Sequence, residues 1–208
     1  MWATGCNHAM AEELIYTSVA KGLRPGSQGF CTVATSEGIA TNLASRLESL
    51  SAYRHVFPPG GPEAKDNPVN LAHVVLTVAG KTYHVLSRVA DYGLDYTARS
   101  NKLAHHLALE KDELVKAGPA WLLAQPGLME REWQGKSRHL PPRSLPQGKA
   151  QATPCQAWER MAGDAGWGGV LAEAVIEKKN IFVVFRPGMK LLPLIEESIR
   201  LLPEDKRW

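Results

Sequence analysis

The stretch "NLAHVVLTVAGKTYHVLSRV", Asn70 to Val89, constrains the fold of this chain more than any other. Two runs rich in Val, Leu, Thr and Tyr flank Gly80-Lys81, which suits a hairpin with Gly at the first central position of a two-residue turn. That turn sets a register: Val78 opposite Tyr83, Leu76 opposite Val85 and Val74 opposite Ser87, on an apolar face that belongs in a core. The other face pairs Thr77 with His84, Val75 with Leu86 and His73 with Arg88. The hairpin thus delivers Arg88 to its more polar side.

Further elements follow from the same pattern logic. Leu14–Val19 and Phe30–Thr35 read as strands joined by the Gly- and Pro-dense "KGLRPGSQG". Ser36 is suited to cap a helix running to about Arg54, with Ile39, Leu43, Leu47 and Leu50 as its buried stripe. Leu107–Leu114 fits either a short strand or a turn of helix, and "PAWLLAQPG" fits a brief helix. Residues 134–153 hold Lys136, Arg138, Arg143 and Lys149 and no acid, which predicts a long basic loop.

The last third has a different rhythm. Thr153-Pro154 is a good cap and first-turn pair for a helix through Met161, and Val170–Lys178 reads as a second helix. "IFVVF", Ile181–Phe185, is expected to be a strand buried on both faces. Arg186-Pro187-Gly188 turns the chain into an amphipathic helix marked by Leu191, Leu194, Ile195, Ser198, Ile199 and Leu202. Trp158 and Trp167 are expected to pack this lobe. The fold class is α+β, with central antiparallel hairpins, packed helices and a C-terminal helix–strand–helix layer. The expected division is a disordered leader over 1–9, an N-terminal lobe over 10–133, the basic loop, and a lobe over 154–208 that shares one core with the first.

Composition removes several classes of function. With 44% hydrophobic and 22% charged residues, whole-chain disorder is excluded. A net charge of +3 is too small to imply nucleic acid without a clustered basic face, and the basic loop has no internal aromatic for base stacking. Cys6, Cys31 and Cys155 form no C-x-x-C, so neither a zinc ribbon nor a disulfide framework is implied, and reduced thiols fit a cytoplasmic setting. No run is long and apolar enough to span a bilayer.

The polar chemistry collects in "RVADYGLDYTARSNKLAHH", Arg88 to His106. Arg88, Arg99 and Asn101 could grip an anionic group, and His105 or His106 could carry protons. Asp95 with one His would give two metal ligands, too few to name a metal. On a strand, the adjacent histidines would point to opposite faces and could not serve together. The structural alternative is that Asp91, Asp95 and Arg99 form surface ion pairs, each worth under ~1 kcal/mol. Cys31 as a nucleophile would need one of His84, His105 or His106 as base and an orienting Asp95; a small buried thiol is the favoured reading. No motif implies a cofactor.

The blocks "IYTSVAKGLRPGSQGFCTVATSEGI", "LESLSAYRH", "HVLSRVADYGLDYTARSNKLAHH", "AGDAGWGGVLAEA" and "FRPGMKLLPLIEESIRLLPEDKRW" together resemble the type-two N-terminal domain of the bacterial GTPase-associated proteins, in order from Leu14 to Trp208. The resemblance implies a component of a GTPase-containing conflict or regulatory system with no established catalytic activity. Its members usually continue into middle and C-terminal regions. A non-enzymatic adaptor docking a GTPase-linked partner is then the first expectation. An enzyme or small-ligand sensor is the second, using Arg88, Asp95, Tyr96, Arg99, Asn101, His105 and His106.

Overall fold

The computed structural model describes residues 10–186 and 188–208. The expected leader over 1–9, Cys6 and the centre of the Arg186–Gly188 turn lie outside the described residues. Among those described, seven strands form one mixed sheet: β1 (Met10–Val19), β2 (Gly29–Ser36), β3 (Asn70–Val78), β4 (Lys81–Leu94), β5 (Ser100–Leu109), β6 (Arg138–Leu140) and β7 (Arg143–Ser144). Their order is β3-β4-β5-β1-β2-β6, with β7 pairing β1. All the pairings are antiparallel except β2 with β6. The helices are α1 (Thr41–Ser49), α2 (Pro119–Ala124), α3 (Gln156–Ala162), α4 (Gly166–Ile176) and α5 (Leu192–Arg200). The α+β class follows directly.

The β3–β4 hairpin forms, but in a register two residues from the expected one. Val78 pairs Lys81, Leu76 pairs Tyr83 and Val74 pairs Val85. The turn is Ala79-Gly80, both with positive φ (49° and 81°), a geometry whose twist matches the strands. Because the slip is even, every side chain keeps its expected face. Val78, Tyr83 and Val85 are buried against Leu14, Leu43, Leu47 and Ala108, with Leu76 beside them. Fully burying a Leu or Val of this kind is worth roughly 1.5–3 kcal/mol.

Helix α1 is shorter than its periodicity suggested, and Ser36 does not cap it. Ser36 ends β2, and its Oγ accepts the Glu13 N–H at 2.7 Å, across to β1. β4 and β5 are also longer than expected, so the stretch Arg88–His106 is not a hydrated connection. It comprises the end of β4, a tight turn and most of β5. The basic segment 134–153 is not all loop either: Ala34 to Ser36 recruit Arg138–Leu140 as β6, and Met10-Ala11 recruit Arg143-Ser144 as β7.

Two compact units divide the described chain: residues up to Leu114 together with Glu130–Leu145, and Val115–Met129 together with Pro146–Trp208. The second unit contains α2 to α5, with Cys155, Ala157, Trp158 and Leu194 at its core. Helix α3 begins after Cys155 rather than at Pro154. Its first amides, on Ala157 and Trp158, are accepted by the Glu197 carboxylate of α5 instead of a Thr153 cap. Helix α4 begins four residues before Val170, at Gly166. Ile181–Phe185 is neither a strand nor buried: Phe182 is 90% and Val184 97% exposed. No strand among the described residues pairs with this run, so its β-propensity goes unused. Trp158 packs as expected, whereas Trp167 is half exposed.

Candidate functional site

The seven candidate residues do not converge; β4, β5 and their turn distribute them over separate environments. Asp95 and Asn101 hold the hairpin. Asp95 Oδ1 accepts the Thr97 N–H (2.8 Å), the Thr97 hydroxyl (2.7 Å) and the Arg99 N–H (3.0 Å), an arrangement typical of Asx turns. Its Oδ2 accepts the Ser18 hydroxyl (2.8 Å) and Arg99 Nη2 (3.1 Å). The Thr97 hydroxyl foremost, and then the backbone and Ser18 donors, hold the Asp95 carboxyl well below the usual carboxylate range against the opposing effect of desolvation. Asn101 Oδ1 accepts from the Thr17 hydroxyl and the Ser18 and Lys102 amides. Both side chains therefore tie the β4–β5 turn to the end of β1.

Asp91 is likewise structural, receiving Asn67 Nδ2 at 3.2 Å and lying 3.0 Å from His55 Nε2. These contacts fasten the irregular segment after α1 to β4.

The adjacent histidines separate as strand geometry demands. His106 faces α1 and is fully buried, its Nδ1 2.7 Å from Ser87 Oγ and its Nε2 2.9 Å from Ser51 Oγ. Burial, with the His105 charge second, lowers its pKa to about 3. It is a neutral core residue. His105 faces the other way, equally buried; its Nδ1 accepts the Glu130 N–H at 2.7 Å and its Nε2 lies 2.7 Å from Glu13 Oε1. With Nδ1 accepting, the proton of a neutral ring sits on Nε2, toward the carboxylate.

Sequence reasoning missed Glu13. It is buried on β1, and the same Oε1 accepts Arg143 Nη1 at 2.9 Å. Burial pushes its carboxyl up, but the hydrogen bond and charge of His105, followed by Arg143, outweigh burial and leave it below its ordinary value. A cavity of about 660 Å³ opens beside this group, lined by Glu13, Glu130, Trp133, Arg138 and Arg143 among others. Arg138 stacks on the Trp133 ring, 4.5 Å from its centroid. The buried Trp133 Nε1 has no acceptor among the described protein atoms. The available signal was an acid inside the apolar run of β1; nothing in the sequence pairs it with His105 and Arg143, which lie far along the chain.

Arg88 sits opposite His105 on β4, and its Nη1 donates to the Glu130 carbonyl at 3.3 Å. Tyr96 and Arg99 lie elsewhere, on an open cleft of about 580 Å³ with Gln28, Gly29, Phe30 and Thr97. Cys31 is half buried, and burial raises its thiol pKa above the ordinary value, the opposite of an activated nucleophile. Among the described residues, no three His, Cys, Asp or Glu side chains are grouped to hold a metal ion.

The family model of GTPase-associated protein 1, N-terminal domain type 2, matches residues 10–146. The chain belongs to this family. The match takes in all seven strands, α1 and α2, so Asp95, Asn101, His105, His106 and Glu13 all fall within it. The blocks "AGDAGWGGVLAEA" and "FRPGMKLLPLIEESIRLLPEDKRW" lie beyond it. No curated protein and no solved structure matches the chain. The family name links this N-terminal domain to GTPase-associated proteins. No helix among the described residues is long and apolar enough to cross a membrane.

Proposed function

We propose that the chain is a non-enzymatic docking module that binds a protein partner within a bacterial GTPase-containing regulatory or conflict system. One observation carries this reading: the second unit exposes large apolar side chains in close succession. Trp167, Val170, Val175 and Ile176 of α4 are about half exposed, and Phe182 and Val184 on the following segment are almost wholly so. Lys178 and Lys179 lie between the two groups along the chain. Large exposed apolar side chains with polar neighbours can mark a protein interaction site. The polar stretch Arg88–His106 supports the same reading from the other side, since Asp95, Asn101 and His106 use their hydrogen-bonding groups to hold the fold.

The test is co-purification with the GTPase-linked protein of the same system, comparing wild type with Phe182→Ser, Val184→Ser. Loss of the partner from a variant that keeps its circular dichroism supports docking through this surface. Undiminished recovery refutes it.

A second reading rests on the cavity beside Glu13. A buried carboxylate flanked by Arg143 and His105, with a Trp133 N–H in need of an acceptor, suits a small polar ligand carrying both donors and acceptors. Calorimetric titration of wild type and Glu13→Gln with amino acids and nucleotides distinguishes it: heat of binding lost in the variant favours the sensor.

A further inference from the structure

Where the β4–β5 turn meets the start of β2, an open cleft of about 580 Å³ carries two aromatic rings, Phe30 and Tyr96. They are 42% and 52% exposed. Tyr16 lies nearly parallel to Phe30, with ring centroids 6.3 Å apart, and its hydroxyl donates to the Phe30 carbonyl at 3.3 Å. Phe30 is thereby braced on the sheet while much of its surface stays in solvent.

The charged group lining this cleft is a guanidinium, and no Asp or Glu is among the lining residues. Arg99 Nη2 donates to Asp95 Oδ2 at 3.1 Å, yet the Arg99 side chain is 63% exposed. Its Nε and Nη1 have no acceptor among the described residues. One end of the fork is therefore fixed, and the other is available. A Cβ built on Gly29 would lie 3.9 Å from Arg99 Nη2, so the guanidinium rests against the start of β2, next to Phe30 in the chain. Lys102 Nζ sits 5.0 Å from the Phe30 centroid and has no carboxylate partner among the described residues. It adds a second cation beside the same ring.

We infer that this cleft binds a small planar-ring anion, the class that includes nucleoside monophosphates and aromatic carboxylates. The ring packs on Phe30 and Tyr96, as bases and other planar groups do on exposed aromatic side chains. The anionic group takes the open end of the Arg99 fork, whose planar geometry matches a carboxylate or a phosphate. Asp95 acts as a positioning residue, since its bond to Nη2 holds the guanidinium. A bare phosphate leaves both rings unused, and a neutral ring leaves the guanidinium without its partner. The volume is within the ordinary range for small-ligand sites. All of these residues belong to the first unit, so the inference stands independently of docking through the second.

Calorimetric titration of the full chain with GMP, phenyl phosphate and phenylacetate, beside guanosine and inorganic phosphate, tests the proposal. The ring-bearing anions should bind at millimolar concentration or below, and guanosine and inorganic phosphate about tenfold or more weakly. A preference for GMP and phenyl phosphate over phenylacetate identifies a phosphate ligand, and the reverse identifies a carboxylate. Arg99→Ala should weaken the ring-bearing anions about tenfold or more and close the gap between GMP and guanosine. Arg99→Lys, which keeps the charge without the fork, should fall between wild type and Arg99→Ala. Phe30→Leu and Tyr96→Leu should weaken the ring-bearing anions and leave inorganic phosphate unchanged. Should Phe30→Leu lose its circular dichroism, Tyr96→Leu carries that arm. Absence of binding by every ring-bearing anion overturns the proposal, as does equal binding of inorganic phosphate or guanosine. Affinity that survives Arg99→Ala overturns it too, as does binding confined to a single-stranded oligonucleotide.

Discussion

Ser18 Oγ donates a 2.8 Å hydrogen bond to Asp95 Oδ2, joining the turn of the β4–β5 hairpin to the end of β1. This contact engages one carboxylate oxygen of Asp95 within the fold. Asp95 accepts five hydrogen bonds from Ser18, Thr97 and Arg99, and they fill the acceptor sites a ligand would need.

Asp95→Ala is therefore expected to lower the urea midpoint of unfolding clearly, Asp95→Asn less, and Arg99→Ala least, because the Arg99 side chain is largely exposed. The pH dependence has a definite sign. A carboxyl held below its unfolded value stabilises the fold above about pH 4, and this stability is lost as pH falls further. Asp95→Ala should flatten the acid limb of the stability curve; an unchanged limb would exclude the pinning role.

His106 gives a second and separate pH signature. Its folded pKa of about 3 lies below an unfolded value of about 6.5, so the unfolded chain binds the extra proton between them. Stability should fall as pH drops through that window, by about 1.4 kcal/mol per pH unit for this group. His106→Gln should remove that slope, as read from urea titrations at pH 7, 6, 5 and 4. Equal slopes in both proteins would show that His106 is not neutral in the fold.

Glu13 Oε1 serves two partners at once, lying 2.7 Å from His105 Nε2 and accepting Arg143 Nη1 at 2.9 Å. Glu13→Leu removes the carboxylate from beside the buried His105 ring and is expected to destabilise by about 2 kcal/mol or more. Glu13→Gln, which keeps the shape and an acceptor oxygen, should lose less. Thermal melts of the two variants check the order.

Leu47 is fully buried beneath the sheet with Leu14 and Val85. Leu47→Ala should cost about 3 kcal/mol, read from the urea midpoint. Leu50→Ala, on a half-buried residue just after α1, should lose less.

Much of this fold is legible in local sequence, and the exceptions have physical causes. Alternation identifies β1, β2 and the β3–β4 hairpin, and strand geometry alone sends the adjacent histidines to opposite faces. Pattern misplaces the hairpin turn by one residue because Ala79 adopts positive φ, a conformation that composition does not advertise. Ser36 looks like a helix cap because the same hydroxyl that caps a helix also serves the amide of Glu13 across the sheet. β6 and β7 are invisible to periodicity: they are three and two residues long and exist only through pairing with β2 and β1. "IFVVF" has the composition of a buried strand, and burial is a property of neighbours rather than of the run itself. The cavity beside Glu13 is illegible for the same reason, since His105 and Arg143 reach it from distant strands.

Docking through the second unit is tested most directly by partner capture from the native host with three baits and mass-spectrometric identification. The baits are wild type, Phe182→Ser with Val184→Ser, and Tyr96→Ala with Arg99→Ala, the last pair taken from the exposed edge of the polar stretch. The expected result is that a GTPase-linked protein is recovered by wild type and by the Tyr96, Arg99 variant and is lost with the apolar variant. Recovery by the apolar variant, together with loss in the Tyr96, Arg99 variant, would contradict docking through the apolar surface and return the binding site to the polar hairpin.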